Sequence, residues 1–203
     1  PSAVSKRLIT PESLIIVDAA GHVLRGKGKC FSEFALHSAI YLARPDVQAI
    51  LQAHSPAALG FSLARKALGK IEIPKMIVSL GDEIPLAAFA LPGSAALKDN
   101  VLAQARCVNA FLLSGNGAMT LGPDVELALL RMELVESYAQ AKNVAQAVGG
   151  AASLSAEERK SLLTQHQKTG LAVPGQTPPA ATTKTDPLKD LIKEEILSAF
   201  KRG

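Results

Sequence analysis

Cysteine, tryptophan and the other aromatic residues are scarce in this chain of 203 residues. Its two cysteines, Cys30 and Cys107, are too few for a disulfide framework and lack the spacing of a metal-binding motif. Aromatic residues make up 4 % of the chain, and the formal net charge is only +4. Because proteins that bind single-stranded nucleic acid stack its bases on aromatic rings within a basic surface, we expect no nucleic-acid partner.

Long apolar runs are absent as well. The longest stretch without a charged residue, 47–64, contains Gln52, His54 and Pro56. A membrane-spanning helix would place these polar groups and a helix break in hydrocarbon, so we expect no transmembrane segment. The polar residues at the start of the chain show no secretory signal, and the cytoplasm is the expected compartment.

Strand and helix patterns alternate over most of the chain. Apolar residues make up 48 % and charged residues 20 %, as in a globular protein, and the length predicts one domain with an appended segment. We predict strands at 13–18, 22–24, 47–54, 108–114 and 118–121, and a strand pair within 84–90. Helices are predicted from a cap at Ser32 to Pro45, at 56–68, 95–106 and 125–148, and from a capping box at Ser155 to Gly170. We place one domain at 1–170.

The composition changes after this domain. Prolines lie among Thr, Ala and Gly in 171–186, which we interpret as a linker. The last segment, 187–203, has the pattern of an amphipathic helix. Its apolar stripe is formed by Leu188, Leu191, Ile192, Leu197 and Phe200. We expect this tethered stripe to bind a partner surface.

Residues suited to acid and base chemistry lie in the first third of the chain. Glu33 is expected in the first turn of a helix, where the helix dipole favours the charged form that a general base requires. His37 follows one turn later on the same face, and Gln52 and His54 share one side of a strand. Each also has an ordinary structural interpretation, as a helix-terminal carboxylate or a hydrogen-bonded, half-buried side chain. By themselves these residues leave the function open.

Three segments of the chain carry a family resemblance. The segments are FSEFALHSAIYLARPDVQAILQAHSPAA at 31–58, LGDEIPLAAF at 80–89 followed by Pro92-Gly93-Ser94, and LLSGNGAMTLGPDVELAL at 112–129. In this order and spacing they resemble the class II aldolase/adducin family, and the similarity extends from about Leu8 to Gly170. It implies an α/β fold with three α/β/α layers and a mostly antiparallel central sheet. It also implies a homo-oligomer, usually a tetramer.

Enzymes of this family cleave or form carbon–carbon bonds in sugar phosphates, with a divalent metal, usually zinc, held by three histidines. Glu33 matches the glutamate that moves a proton, His54 matches one metal ligand, and Ser32 matches a serine near the substrate phosphate. The other two ligand positions correspond to Gln52 and Asn116. Family members usually carry an additional N-terminal segment that helps to hold the phosphate. Nothing in this chain resembles it, so the domain is expected to be incomplete at its N-terminus.

The two substitutions weaken the case for a catalytic metal. An imidazole nitrogen is a good zinc ligand, whereas Gln52 and Asn116 offer neutral amide oxygens. We therefore expect no cofactor, with Zn²⁺ or another divalent cation only if the protein is active. The two amides are interpreted as hydrogen-bonded residues of a former pocket. The alternative is an oxygen-rich site for a different cation.

The leading hypothesis is a catalytically degenerate protein that acts as a binding or scaffolding subunit. The alternative is a metal-dependent aldolase that cleaves a small sugar phosphate similar to fuculose 1-phosphate, with Glu33 as acid and base. The C-terminal helix resembles the peptides that direct enzymes into bacterial microcompartments, which would make shell proteins its partners. An equal alternative is that it docks on its own or a neighbouring subunit, or on another protein.

Overall fold

The computed structural model describes residue 2 and residues 4–175, and eight short strands and six α-helices lie in that part of the chain. The strands are β1 (Ile16–Val17), β2 (Val23–Arg25), β3 (Ala49–Ala53), β4 (Gly69–Lys70), β5 (Glu83–Ile84), β6 (Leu86–Ala87), β7 (Ala110–Leu113) and β8 (Ala118–Gly122). The helices are α1 (Phe34–Ala43), α2 (Pro56–Leu63), α3 (Pro74–Leu80), α4 (Ala95–Ala105), α5 (Val125–Ala147) and α6 (Ala156–Lys168). Two single-turn 3₁₀ helices, Lys6–Leu8 and Pro11–Ser13, precede β1.

Four strands form the central sheet in the order β3, β8, β7, β6. Strands β3 and β7 both pair with β8 in antiparallel orientation, whereas β6 pairs with β7 in parallel. The parallel pair is connected through α4, because parallel neighbours need a crossover. Antiparallel pairs predominate, so the prediction of a mostly antiparallel central sheet is confirmed. Strands β1 and β2 form a separate hairpin, as predicted.

Helices cover both faces of this sheet. Ala110 and Leu112 of β7 pack into a buried cluster with α2, α3 and α5, whereas Phe111 and Leu113 pack into a second cluster with α1 and α4. Successive residues of a strand point to opposite sides, and all four side chains are buried because a helix layer covers each side. The three α/β/α layers expected from the family resemblance are therefore confirmed.

Most helix boundaries follow local signals in the sequence. The Asp124 carboxylate caps α5 by accepting a hydrogen bond from the Leu127 N–H at 2.7 Å. At the start of α6, Ser155 and Glu158 form a reciprocal capping box. Helix α1 ends at Ala43, two residues before Pro45. These boundaries agree with the predictions.

Two local predictions are wrong. Helix α2 ends at Leu63 rather than near Leu68. Arg65 adopts a left-handed conformation with φ +54°, and the following N–H bonds back to the Phe61 carbonyl at 3.0 Å, which closes the helix. The two strands within 84–90 do not pair with each other, because β5 pairs with β4 and β6 pairs with β7. Pro85 separates them and has no N–H with which to continue a ladder.

Residues 171–173, which follow α6, lie against the domain. The Leu171 carbonyl accepts hydrogen bonds from Asn109 Nδ2 at 3.0 Å and from Arg131 Nη2 at 2.9 Å, and Val173 is buried. The limits of domain, linker and terminal helix stay predictions, and the stripe from Leu188 to Phe200 lies outside the described residues. Within 4–175, no helix is long and apolar enough to cross a membrane.

Candidate functional site

Residues from three separate parts of the fold meet beside the central sheet. Glu33 is the N-cap residue of α1, because its ψ of 9° lies outside the helical range. The predictions that Ser32 is the cap and that Glu33 belongs to the first turn are therefore wrong by one residue. Gln52 lies in β3, His54 follows this strand directly, and Asn116 lies in the turn between β7 and β8.

Two amide side chains hold the carboxylate of Glu33. Nε2 of Gln52 donates to Oε2 at 2.8 Å, and Nδ2 of Asn116 donates to Oε1 at 2.5 Å. Because an ionised carboxylate can only accept hydrogen bonds, both amides must present their NH₂ groups to Glu33. Hydrogen bonds to a charged acceptor are stronger than those between neutral groups. Each carboxylate oxygen is therefore held by its own donor.

Two histidines extend these contacts on the far side of the amides. Nε2 of His37 lies 3.3 Å from Oε1 of Gln52, and Nε2 of His54 lies 2.7 Å from Oδ1 of Asn116. Since an amide oxygen only accepts, each Nε2 carries a hydrogen in its contact. The hydrogen bonds therefore run in one chain through His37, Gln52, Glu33, Asn116 and His54. We call this chain the Glu33 network.

The Glu33 network does not fit the three-histidine metal site that the family resemblance implies. A metal ligand must offer a lone pair, but Nε2 of His54 donates its hydrogen to Asn116. The amide nitrogens of Gln52 and Asn116 are not ligands, and their oxygens accept hydrogen bonds from the two histidines. Among residues 4–175, no three His, Cys, Asp or Glu side chains are grouped so that they could hold a metal ion.

The turn that carries Asn116 is held against β3 and α2. The Ser62 Oγ accepts from the Gly117 N–H at 3.1 Å, and the Ser62 carbonyl accepts from the Gly115 N–H at 3.0 Å. Gly117 has φ +79°, and a Cβ at this residue would lie 2.2 Å from the Ala53 carbonyl oxygen. Only glycine allows this approach, so the position of Asn116 depends on it. No pattern in the sequence points to Ser62.

A partly buried carboxylate anchors the helix that follows His54. Glu136 of α5 accepts from the Ala57 and Ala58 N–H groups, both at 3.0 Å, in the first turn of α2. Burial acts to raise the pKa of the Glu136 carboxyl, but the two N–H groups and the Gln140 amide together hold its pKa below the usual value. Glu136 therefore supplies a negative charge to the start of α2. The sequence does not reveal this contact, because the partners are 78 and 79 residues apart.

The Glu33 network separates two clefts. A cleft of about 740 Å³ is lined by Gln52 and both histidines of the network. A cleft of about 890 Å³ is lined by Ser32, Asn116 and Lys98. Glu33 borders both clefts. The predicted substrate-binding serine and the predicted general base therefore lie in one cleft, which we call the larger cleft.

Aromatic rings contribute to both clefts. Phe31 lies edge-on to the His37 ring with the centroids 4.9 Å apart, so this residue packs on the network. Phe89 is 52 % exposed and lines the larger cleft, with the Arg65 guanidinium carbon 5.0 Å from its ring centroid. Lys98 lines the larger cleft, and Arg65 reaches it only through its contact with Phe89.

Residues 1–143 match the family described as Class II Aldolase and Adducin N-terminal domain. The chain belongs to the class II aldolase/adducin family. It is 31 % identical over 143 residues to the L-fuculose phosphate aldolase of Methanococcus maripaludis, and the match covers 69 % of this chain and 74 % of that protein. It is also 31 % identical over 140 residues to the beta-adducin of Homo sapiens, with 65 % of this chain and 19 % of that protein covered.

The solved structures agree with this assignment. An L-fuculose 1-phosphate aldolase superposes with a TM-score of 0.74 at 25 % identity, and the match covers 82 % of this chain and 78 % of that chain. The family and fold predictions are therefore confirmed for this class II aldolase/adducin protein. The roles of Glu33 as base, His54 as metal ligand and Ser32 as substrate-binding residue stay predictions.

Proposed function

We propose that this class II aldolase/adducin protein lacks aldol chemistry and acts as a binding or scaffolding subunit. The observation that supports this proposal is the Glu33 network, in which amide donors occupy both oxygens of the predicted base. A general base must come within hydrogen-bond distance of the substrate proton that it removes. Gln52 and Asn116 already hold one lone pair on each oxygen, which restricts the approach of a substrate proton to the remaining ones.

The charge of the site supports the same proposal. Aldol cleavage develops negative charge on substrate oxygens, and catalysis requires a cation or directed donors that stabilise it. The immediate neighbours of Glu33 are neutral amides whose NH₂ groups point at its carboxylate. Each loss of about 1.4 kcal/mol in transition-state stabilisation slows a reaction tenfold. A deficit of several kcal/mol would therefore leave little activity.

The larger cleft retains features of a binding site. Ser32 and Ser94 bring hydroxyl groups to it, and Lys98 brings a positive charge. Its volume of about 890 Å³ is in the range of sites that enclose a small molecule. We propose that Ser32 contacts a ligand bound there.

We also propose that the protein forms a homo-oligomer, with the tetramer of the family resemblance as the expected state. Large apolar side chains are exposed on several elements, and association would remove them from water. The most exposed are Val148, Leu42, Leu8, Leu91, Leu24, Val125, Val144 and Leu63.

Metal analysis combined with an activity assay tests the loss of aldol chemistry. We expect the purified protein to hold no stoichiometric zinc and to cleave neither fuculose 1-phosphate nor rhamnulose 1-phosphate above the buffer rate. The matched variant combines Gln52→His with Asn116→His, which restores the family's ligand types and is expected to bind zinc. Stoichiometric zinc together with clear turnover in the unchanged protein would contradict the proposal.

An active aldolase is the second candidate function. It is favoured by the placement of Glu33 and His54 in one network and by the similarity to L-fuculose phosphate aldolases. In this case the protein acts on a small sugar phosphate with Glu33 as acid and base, and Glu33→Gln abolishes a measurable cleavage activity. Glu133→Gln, at an exposed position of α5, serves as the control and leaves that activity unchanged.

The role of the C-terminal segment 187–203 is a separate proposal. We propose that its apolar stripe binds a protein surface, either a subunit of this protein, another protein, or the shell of a bacterial microcompartment in the cytoplasm. The start of the predicted linker is fixed to the domain, because the Leu171 carbonyl accepts two hydrogen bonds from domain side chains.

A further inference from the structure

A further cavity, of about 250 Å³, lies between α6, the end of α3 and residues 171–173. It shares no lining residue with the two clefts beside the Glu33 network, and we call it the α6 cavity. Apolar side chains form much of its wall, namely Leu80, Val108, Leu163, Ala172 and Val173. Such walls suit the apolar body of a small ligand.

His166 is the buried imidazole of the α6 cavity. The residue is 7 % exposed, and its Nδ1 lies 2.8 Å from the Val78 carbonyl oxygen. Because a carbonyl only accepts, Nδ1 carries the hydrogen, and Nε2 of the neutral ring offers a lone pair. Burial lowers the pKa of His166, the Val78 contact opposes this shift, and the charge of Arg131 adds to it. The neutral ring is therefore favoured.

The Nε2 lone pair borders open space. No described residue forms a hydrogen bond with it, and Nε2 is not among the described side-chain atoms that are sealed without a partner. Gly81 stands opposite, since a Cβ at this residue would lie 3.5 Å from Nε2. Buried acceptors normally find a donor in the protein, in water or in a ligand. In this cavity the donor must come from outside the described residues.

The charges around the α6 cavity restrict the chemistry of its ligand. Asp82 and Glu83 line it, and Oδ1 of Asp82 already accepts from Arg159 Nη1 at 2.8 Å. Arg159 is already paired with Asp82, and the nearby Arg131 donates to the Leu121 and Leu171 carbonyls. An anion would instead meet the Glu83 carboxylate and the Nε2 lone pair of His166, which repel it. A neutral molecule that donates a hydrogen bond to Nε2 is not repelled in this way.

We propose that the α6 cavity binds a small, largely apolar molecule with one N–H or O–H group, which donates to Nε2 of His166. The volume suits one or two fused rings, since an apolar cavity of about 150 Å³ accommodates benzene. This site does not depend on the proposed function of the Glu33 network, because the two share no lining residue.

Indole and 1-methylindole are the probes that test the proposal, because they have similar bodies and only indole carries the N–H. Each is titrated into the full chain while the His166 Nε2 signal is followed by ¹⁵N NMR. We expect indole to shift this signal and to bind at least tenfold more tightly than 1-methylindole. Failure of indole to bind at millimolar concentration, equal binding of the two probes, or an unmoved Nε2 signal would overturn the proposal.

Variants separate the hydrogen bond from the shape of the cavity. His166→Asn keeps an N–H group for the Val78 carbonyl but has no Nε2. We expect this variant to lower the affinity for indole at least tenfold and to leave the affinity for 1-methylindole unchanged. Unchanged indole binding in this variant would also refute the proposal. Lys160→Gln, at an exposed position of α6, is the control that retains indole binding.

A second variant keeps the test decisive if His166→Asn does not fold. Ala172→Leu adds side-chain volume to the cavity wall and leaves His166 in place. We expect it to lose indole binding while the His166 signals remain those of the folded protein. Retained indole binding in this variant would place the probe elsewhere and overturn the proposal.

Discussion

The carboxylate of Glu33 is the central group of the site at the scale of single residues. Both of its oxygens accept hydrogen bonds from side chains of the same chain. Catalytic groups commonly reduce stability, because the site holds them in arrangements that only the substrate completes. Glu33, Gln52 and Asn116 are partly buried, and a polar network in which every member has a partner stabilises the fold instead. Glu33 is therefore expected to stabilise this protein.

Replacing Glu33 with glutamine tests this expectation. Glu33→Gln places an NH₂ group against one of the two amides, so either Gln52 or Asn116 loses its acceptor. We expect the free energy of unfolding to fall by about 0.5–1.5 kcal/mol in chemical denaturation, the net value of a hydrogen bond, because the released amide is only partly buried. Glu133→Gln, exposed on α5, is the matched control and should change little. An unchanged or increased stability would instead indicate a carboxylate kept for catalysis.

At the scale of elements, the turn between β7 and β8 positions Asn116. Ser62 of α2 accepts hydrogen bonds from two N–H groups of this turn. Gly117 packs closely against the backbone of β3. Two turn glycines have positive φ, +75° at Gly115 and +79° at Gly117. Only at Gly117 would a Cβ meet backbone atoms. This difference provides a matched pair of substitutions.

Alanine at each glycine separates conformational strain from a clash. Gly115→Ala should cost about 1–2 kcal/mol of stability, because alanine is strained at positive φ. Gly117→Ala should cost distinctly more, since its Cβ would lie 2.2 Å from the Ala53 carbonyl oxygen and force the turn away from β3. Denaturation measures both losses, and the Gly117 variant should also lose the contact between Asn116 and Glu33. Equal losses would show that the turn adapts.

Element boundaries show which predictions the sequence supports. The starts of α5 and α6 were predicted correctly because the side chains of Asp124 and Ser155 accept hydrogen bonds from N–H groups only three residues away. The predicted partner of β6 is wrong. Its actual partner, β7, begins more than twenty residues later along the chain and is reached only through α4. Local chemistry cannot select a partner across such a distance.

At the scale of the whole molecule, two apolar surfaces are expected to bind other molecules. One is formed by the exposed apolar side chains of the described domain, and the other is the predicted apolar stripe of 187–203. Deleting Asp186–Gly203 distinguishes them. We expect sedimentation velocity to show the same oligomer with and without this segment, because the domain carries its own exposed apolar surface. The truncated protein should no longer co-sediment with a microcompartment shell. Loss of the oligomer would show instead that the segment docks on a subunit.

The sequence by itself determined the caps of α5 and α6, the family, and the set Glu33, Gln52, His54 and Asn116 as a candidate site. The caps depend on neighbours within a few positions along the chain, whereas the family and the candidate set depend on the order and spacing of segments along most of the chain. Only the tertiary structure decided that both amides turn their NH₂ groups to Glu33, and that Nε2 of His166 borders a cavity. The bond from Asn116 to Glu33 joins residues 83 positions apart. Such a contact exists only once the helices and strands have packed, because their packing sets where each side chain meets another.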